Sequence, residues 1–378
     1  MSGDVIVQRV RQLIARSGRS QGEFAALVGL DPAKMSKSLS GVRRFTSLDL
    51  ARIAEVGGVT VDWLLGRDDA PALAARHSSV LADPVLAEPA EKAIEEADRL
   101  MQFRLDLAFL GYEQHAVLPP SPPTHDLWIE QGRQLAAWAL DRARKAGADP
   151  SHTRDLADLI EDVFGIDVAI SELPNGFDGL AYSRKQSWLI LVGTSAVPSR
   201  QRFTLAHELG HVLAGDDQGL LMDADIYDAR HRKHSSEIRA NAFATAFLLP
   251  QELLEAEASG LEWTEEAFAG LVVRWWVSPS ALAWRLHNLG LLSMELCARF
   301  RRMTTEQAAL LVGELGAFTE WIDAASRPRL PQLLLRDAFK AYLDGNATLR
   351  PFANLIGVDS DVIRRALEQA GEEPPLTS

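Results

Sequence analysis

Apolar residues recur at three- and four-residue intervals along most of the chain, the spacing that lines one face of a helix. Ile6, Val10, Leu13 and Ile14 form the first such stripe. Ser20, with Glu23 three residues later, reads as a capping box opening a second helix whose Phe24, Ala25 and Leu27 face inward. Gly29 suits a left-handed turn, and Asp31-Pro32 is an N-cap followed by proline in the first turn, so a third helix is predicted over Pro32–Leu39. Segments 48–56 and 61–65 bring the head, residues 1–66, to five short helices.

The pattern then loosens. Residues 67–124 read as a linker: Ala, Asp, Pro and Ser at first, one helix-like stretch over 91–110, then a stiff hinge holding Pro119, Pro120, Pro122 and Pro123. Residues 125–295 read as a domain. Its helices are predicted at 127–146 and 154–164, a strand at 167–170, and a hairpin from 179–182 and 188–192. A helix capped by Ser199 and ended by Gly215 follows, then one capped by Ser235 or Ser236 and stopped by Pro250. Segments 264–276 and 279–288 form a helix-turn-helix-like pair with Leu271, Trp275, Leu282 and Leu286 as core. Residues 296–378 read as a helical region, a capping or dimerisation bundle, which makes a homodimer an expectation. The predicted fold is mainly α with a small α+β part built on a short β-sheet.

Composition refines this picture. With 378 residues the chain exceeds one ordinary core, and 47% apolar with 24% charged residues is the balance of a soluble globular protein. No apolar run approaches the roughly 20 residues of a membrane helix, and the opening MSGDVIVQRVRQ lacks the order of a secretory signal. A cytoplasmic protein with no membrane partner is the expectation. Cys297 is the only cysteine, so an internal disulfide and a CxxC zinc ribbon are excluded. The net charge of −13 is uneven: residues 1–66 hold nine Lys/Arg against six Asp/Glu, while the remainder is strongly acidic. A small basic head on an acidic body favours contact with nucleic acid through the head alone.

The informative chemistry lies in RQRFTLAHELGHVLAG, residues 200–215. His207 and His211 are four apart, so both rings stand on one helix face and can share one ion. Glu208, about 100° round the helix, reaches a water on that ion without taking a coordination position. Such a zinc site needs a third protein ligand. Glu237, in SSEIRANAFATAFLLP, is the best downstream candidate, with His231 and His234 of a charged, loop-like stretch as competitors. Asn241 lies one turn from Glu237 and can support the site from behind. Asp216 and Asp217 follow the helix too closely to return as ligands. Zn²⁺ is preferred because two histidines and a carboxylate with an open position suit it, with Mn²⁺ and Fe²⁺ as alternatives.

Two resemblances follow from these residues. The strings SQGEFAALVGLDPAKMSKSLSG and FTSLDLARIAEVGGVTVDWLLG resemble the lambda-repressor-like (XRE) helix-turn-helix family. That resemblance implies double-stranded DNA as a partner of residues 1–66. It would set Ala33, Lys34, Ser36 and Lys37 toward bases, Gln21 toward the backbone, and Arg43 and Arg44 near phosphates. The strings DGLAY, RFTLAHELGH, E-x-x-x-N-x-F-A with LLP, and VSPSALAWRLHNLGLL resemble the ImmA/IrrE family of bacterial metallopeptidases, with a zincin-like domain. This second resemblance implies His207, His211 and Glu237 as zinc ligands and Glu208 as the catalytic carboxylate. It also implies a repressor or antitoxin-like protein as substrate, cut to change gene expression. Tyr182, His231 and His234 are the candidates for a second oxyanion donor. The competing readings are an XRE-type regulator whose metal site is structural or sensory, and self-cleavage within 67–124.

Overall fold

Two units emerge in the computed structural model, Met1–Pro71 and Ala72–Ser378. It describes residues 2–16, 19–46, 49–50, 52–53, 56, 64, 72–73, 84–173, 178–216 and 226–370.

In the first unit, α1 (Ser2–Arg16) carries the first apolar stripe, and α2 (Gln21–Leu27) and α3 (Pro32–Leu39) follow the predicted capping signals. Ser20 Oγ accepts from the Glu23 amide at 3.3 Å while the Glu23 carboxylate accepts from the Ser20 amide at 2.8 Å. Asp31 Oδ1 accepts from the amides of Ala33 and Lys34, and Gly29 takes φ +65° between the helices. Val10, Leu13, Phe24, Met35, Ile53 and Leu64 make the core. Most of the two further helices expected at 48–56 and 61–65 lies outside the described residues.

The second unit is built on a sheet with the order β1–β3–β4–β2: β1 (Ala72–Leu73), β2 (Asp167–Ser171), β3 (Gly179–Arg184) and β4 (Ser187–Gly193). β3 and β4 form the predicted hairpin, and β2 runs parallel to β4. Because side chains alternate across a strand, the sheet feeds two cores. Val168, Ile170, Ala181, Ile190 and Val192 face one, and Ala169, Leu180, Tyr182, Leu189 and Leu191 face the other. Against the first face pack α5 (Trp128–Lys145), α6 (Leu156–Phe164), α7 (Pro198–Ala214) and α8 (Ile226–Leu248), with α4 (Pro84–Phe109) on the second. The mainly helical fold with a small sheet is as the periodicity predicts.

Three local features differ from expectation. The stretch read as a linker helix is α4, whose Leu100, Met101 and Leu107 are buried against the sheet. It is tied there by buried Arg104, which donates to both Asp167 oxygens at 2.7 Å. The hinge and helical tail likewise join this unit rather than standing apart. Val117 bonds to Phe164, Ser195 donates to the Ala325 carbonyl, and Ile170 bridges to Arg329. The cap of α7 is Val197 with Pro198 in the first turn, not Ser199, since proline's fixed φ starts a helix as well as a side-chain cap does. Beyond α8 come shorter helices, among them Glu265–Arg274 and Pro279–Asn288, whose Leu271, Trp275, Leu282 and Leu286 are core as predicted.

Candidate metal centre

α7 is buried on every side from Leu205 to Ala214, between the sheet and α8. A helix enclosed in this way has no solvent face on which to place polar groups, so its histidines and glutamate must find partners inside. Arg202 fixes its near end: the fully buried guanidinium donates to the carbonyls of Pro150, Ser151, Thr153, Trp275 and Trp276. Burial lowers its pKa to about 9, against the opposing pull of the Asp149 carboxylate. At the far end Gly215 takes φ +64° and turns the chain back.

Two glycines, one on α5 and one on α7, let α8 pack closely against both helices. A β-carbon at Gly132 on α5 would lie 2.4 Å from the Arg239 carbonyl, and one at Gly210 on α7 would lie 2.8 Å from the Phe243 ring. These approaches bring one face of α8 over the histidines. Glu237 Oε2 stands 3.4 Å from His207 Nε2, and Glu237 Oε1 stands 3.6 Å from His211 Nε2. The two Nε2 atoms are 3.1 Å apart. The side chains of His207 and His211 are only 3% and 8% exposed, while that of Glu237 is 28% exposed, so the cluster is closed from behind and open on one side. Among the described residues, His207, His211 and Glu237 are the group able to hold an ion, with ligand atoms within 4.8 Å of one another. Glu208, next along α7, is fully buried.

The outer nitrogens decide what the inner ones can do. His207 Nδ1 lies 3.1 Å from Asn241 Oδ1, and His211 Nδ1 lies 2.7 Å from Asp216 Oδ2. Both partners accept, so each neutral ring carries its proton on Nδ1 and turns the Nε2 lone pair inward. Two lone pairs and a carboxylate then converge, a repulsive arrangement that a divalent cation relieves. The donor set fits a His₂-carboxylate metal site. Asp216 is in turn paired with Arg239, which also donates to Gln131 Oε1 at 3.1 Å and lies over the Trp128 ring.

Several sequence expectations change here. Asp216, set aside as a ligand, lies behind His211 because the left-handed Gly215 reverses the chain. The cue was a glycine C-cap directly before a carboxylate. The stretch holding His231 and His234 is part of α8 and not a loop, and their side chains lie outside the described residues, as does Asp217. Tyr182 faces away from the cluster. It is buried on the α4 side of the sheet with its hydroxyl donating to Asp98. In the head, Ala33, Lys34, Ser36 and Lys37 form the exposed face of α3, and Gln21 and Arg44 are exposed. Arg43 differs: its guanidinium donates to Asp49 at 2.8 Å and to Ser38 Oγ at 3.0 Å, so it braces the head.

Comparison with known proteins places this geometry. Residues 161–287, which include the whole cluster, match the model of the IrrE N-terminal-like domain (peptidase M78). The radiation response metalloprotease IrrE of Deinococcus radiodurans is 34% identical over 134 residues, which cover 35% of this chain and 40% of that protein. The protein of the same name from Deinococcus deserti is 34% identical over 168 residues, covering 44% of this chain and 57% of that one. The HTH-type transcriptional regulator RamB of Mycobacterium tuberculosis is 25% identical over 323 residues, covering 76% of this chain and 66% of RamB. The chain thus spans about half the length of the two IrrE proteins it matches. Among the described residues no helix is long and apolar enough to cross a membrane. The chain is thus similar at its centre to the IrrE N-terminal-like domain and over most of its length to a helix-turn-helix regulator.

Proposed function

We propose that the second unit is a zinc-dependent endopeptidase and that residues 1–66 bind double-stranded DNA, the substrate being a repressor or antitoxin-like protein. The convergence of Glu237 on the two inward Nε2 atoms carries the peptidase reading. His207, His211 and Glu237 would hold the ion, with Asn241 and Asp216 fixing the ring orientations. Zn²⁺, when bound, would supply Lewis-acid activation of water and of the scissile carbonyl. Glu208 takes a proton from the attacking water and passes it to the leaving amine. Its complete burial keeps bulk water from competing for that proton. The exposed edge of Glu237 marks the side from which a peptide enters.

The DNA reading is supported by the exposed face of α3 and the local positive charge. The likeness to two proteins named metalloproteases favours hydrolysis over a purely structural metal.

The deciding experiment compares the parent with Glu208→Gln. Both should retain one equivalent of zinc by elemental analysis, and only the parent should cleave a co-expressed regulator encoded beside its gene. Undiminished cleavage by Glu208→Gln removes the mechanism. Full zinc occupancy with no cleavage of any partner by the parent leaves a regulator with a structural or sensory metal.

A further inference from the structure

The outer edge of β3 runs beside the helix that carries both histidines. At its start Gly179 faces Thr204, where an added β-carbon would come within 2.8 Å of Thr204 Cγ2. Toward its other end Ala181, Tyr182 and Ser183 line a cavity together with Val212, Gly215 and Asp216. His207, Glu208 and His211 occupy the stretch of α7 between those two points. A chain laid along this edge therefore runs beside the helix that carries the candidate metal ligands.

One side of β3 is paired with β4. On the other side its strand partner is β1, antiparallel, with Ala72 opposite Ser183 and Leu73 opposite Tyr182. β1 is drawn from the part of the sequence that joins the head to the second unit. A strand edge presents alternating amide donors and carbonyl acceptors to any extended backbone, whatever its side chains. The same groups cannot serve two chains at once.

We propose that the outer edge of β3 is a docking strand for an extended peptide, and that this chain's own Ala72–Leu73 occupies it and so competes with a substrate. The inference rests on the proposed peptidase in one respect, that the competitor is its substrate; the strand pairing does not depend on it. An internal occupant lowers the apparent affinity of an outside peptide by the fraction of molecules whose edge is open.

The test uses the full chain in a Glu208→Gln background, so that a probe stays whole. A fluorescein-labelled peptide of sequence PALAARHSS, copied from residues 71–79, is titrated and followed by anisotropy. Neighbouring amides on a strand point to opposite sides, so of Leu73→Pro and Ala72→Pro the one whose amide faces β3 should tighten probe binding by about tenfold or more. A probe with proline in place of its leucine should bind weakly to every variant. Equal affinity of parent and proline variants, or no binding to any of them, overturns the proposal. Should a proline variant fail to fold, hydrogen exchange in the parent decides. A protected outward-facing amide within Tyr182–Ser183 supports the pairing, and fast exchange there overturns it. Neither readout involves hydrolysis, so a failed peptidase reading would appear separately, in the cleavage comparison of the chain carrying Glu208 with its Glu208→Gln variant.

Discussion

Asp216 accepts from His211 Nδ1 at 2.7 Å and is itself paired with Arg239, so a carboxylate just beyond the end of α7 sets the orientation of a ring inside it. The connection depends on Gly215, whose φ of +64° turns the chain back on the helix. Asp216→Ala should lower zinc affinity by about 10–100-fold, the usual effect of losing such a support. Competition with a chelator measures it. Asp216→Glu should recover part of the loss, which a merely structural role does not require. Unchanged affinity in Asp216→Ala would remove the residue from the site.

Tyr182 supplies a pH-dependent prediction. Burial first, and then the adjacent Asp98 carboxylate, push its phenol above the ordinary tyrosine range. The neutral hydroxyl is thus the folded form, and its bond to a charged group contributes about 1.5–3 kcal/mol. A raised folded pKa gives stability that is fully present below the unfolded value of about 10 and is lost as pH rises above it. Denaturant unfolding should therefore show a constant gap between parent and Tyr182→Phe from pH 7 to about 9 and a narrowing gap above about 10. The zinc affinity of Tyr182→Phe should match the parent, because the hydroxyl lies on the opposite face of the sheet.

Arg104 anchors α4 through a buried ion pair with Asp167 and a further bond of 2.6 Å to Asp337. Removing one partner strands the other charge, so Arg104→Met should destabilise the second unit by about 3–5 kcal/mol. The double variant Arg104→Met with Asp167→Leu should be more stable than the single one, since the more deeply buried of the two carboxylates paired with Arg104 is then gone as well. Urea titrations of both decide the matter. If α4 were only a linker, neither would shift the midpoint.

Charge reversal or removal in the head should separate two kinds of arginine and lysine. Lys34→Ala and Lys37→Ala should each weaken binding to the chain's own upstream DNA and reduce the salt slope by about 1. Arg43→Ala should instead lower the thermal midpoint of the head, because its guanidinium bonds to Asp49 and Ser38. No mobility shift at low salt for the intact chain would remove the DNA reading.

The sequence by itself determined whatever depends on short-range geometry. Capping residues and proline placed α2 and α3, alternation placed β3 and β4, and a spacing of four put His207 and His211 on one face of one helix. These are effects of neighbours within a turn or a pleat, and the chain carries them wherever it folds. The tertiary structure alone decided which distant groups meet. Glu237 reaches the histidines because Gly132 and Gly210 let α8 come close, and α4 became core because the sheet offered it a second apolar face. Arg43 and Tyr182 each had a carboxylate partner that no local pattern announces. Asp216 stands between the two cases, close in sequence but placed by a left-handed turn whose direction matters only once His211 is there to receive it.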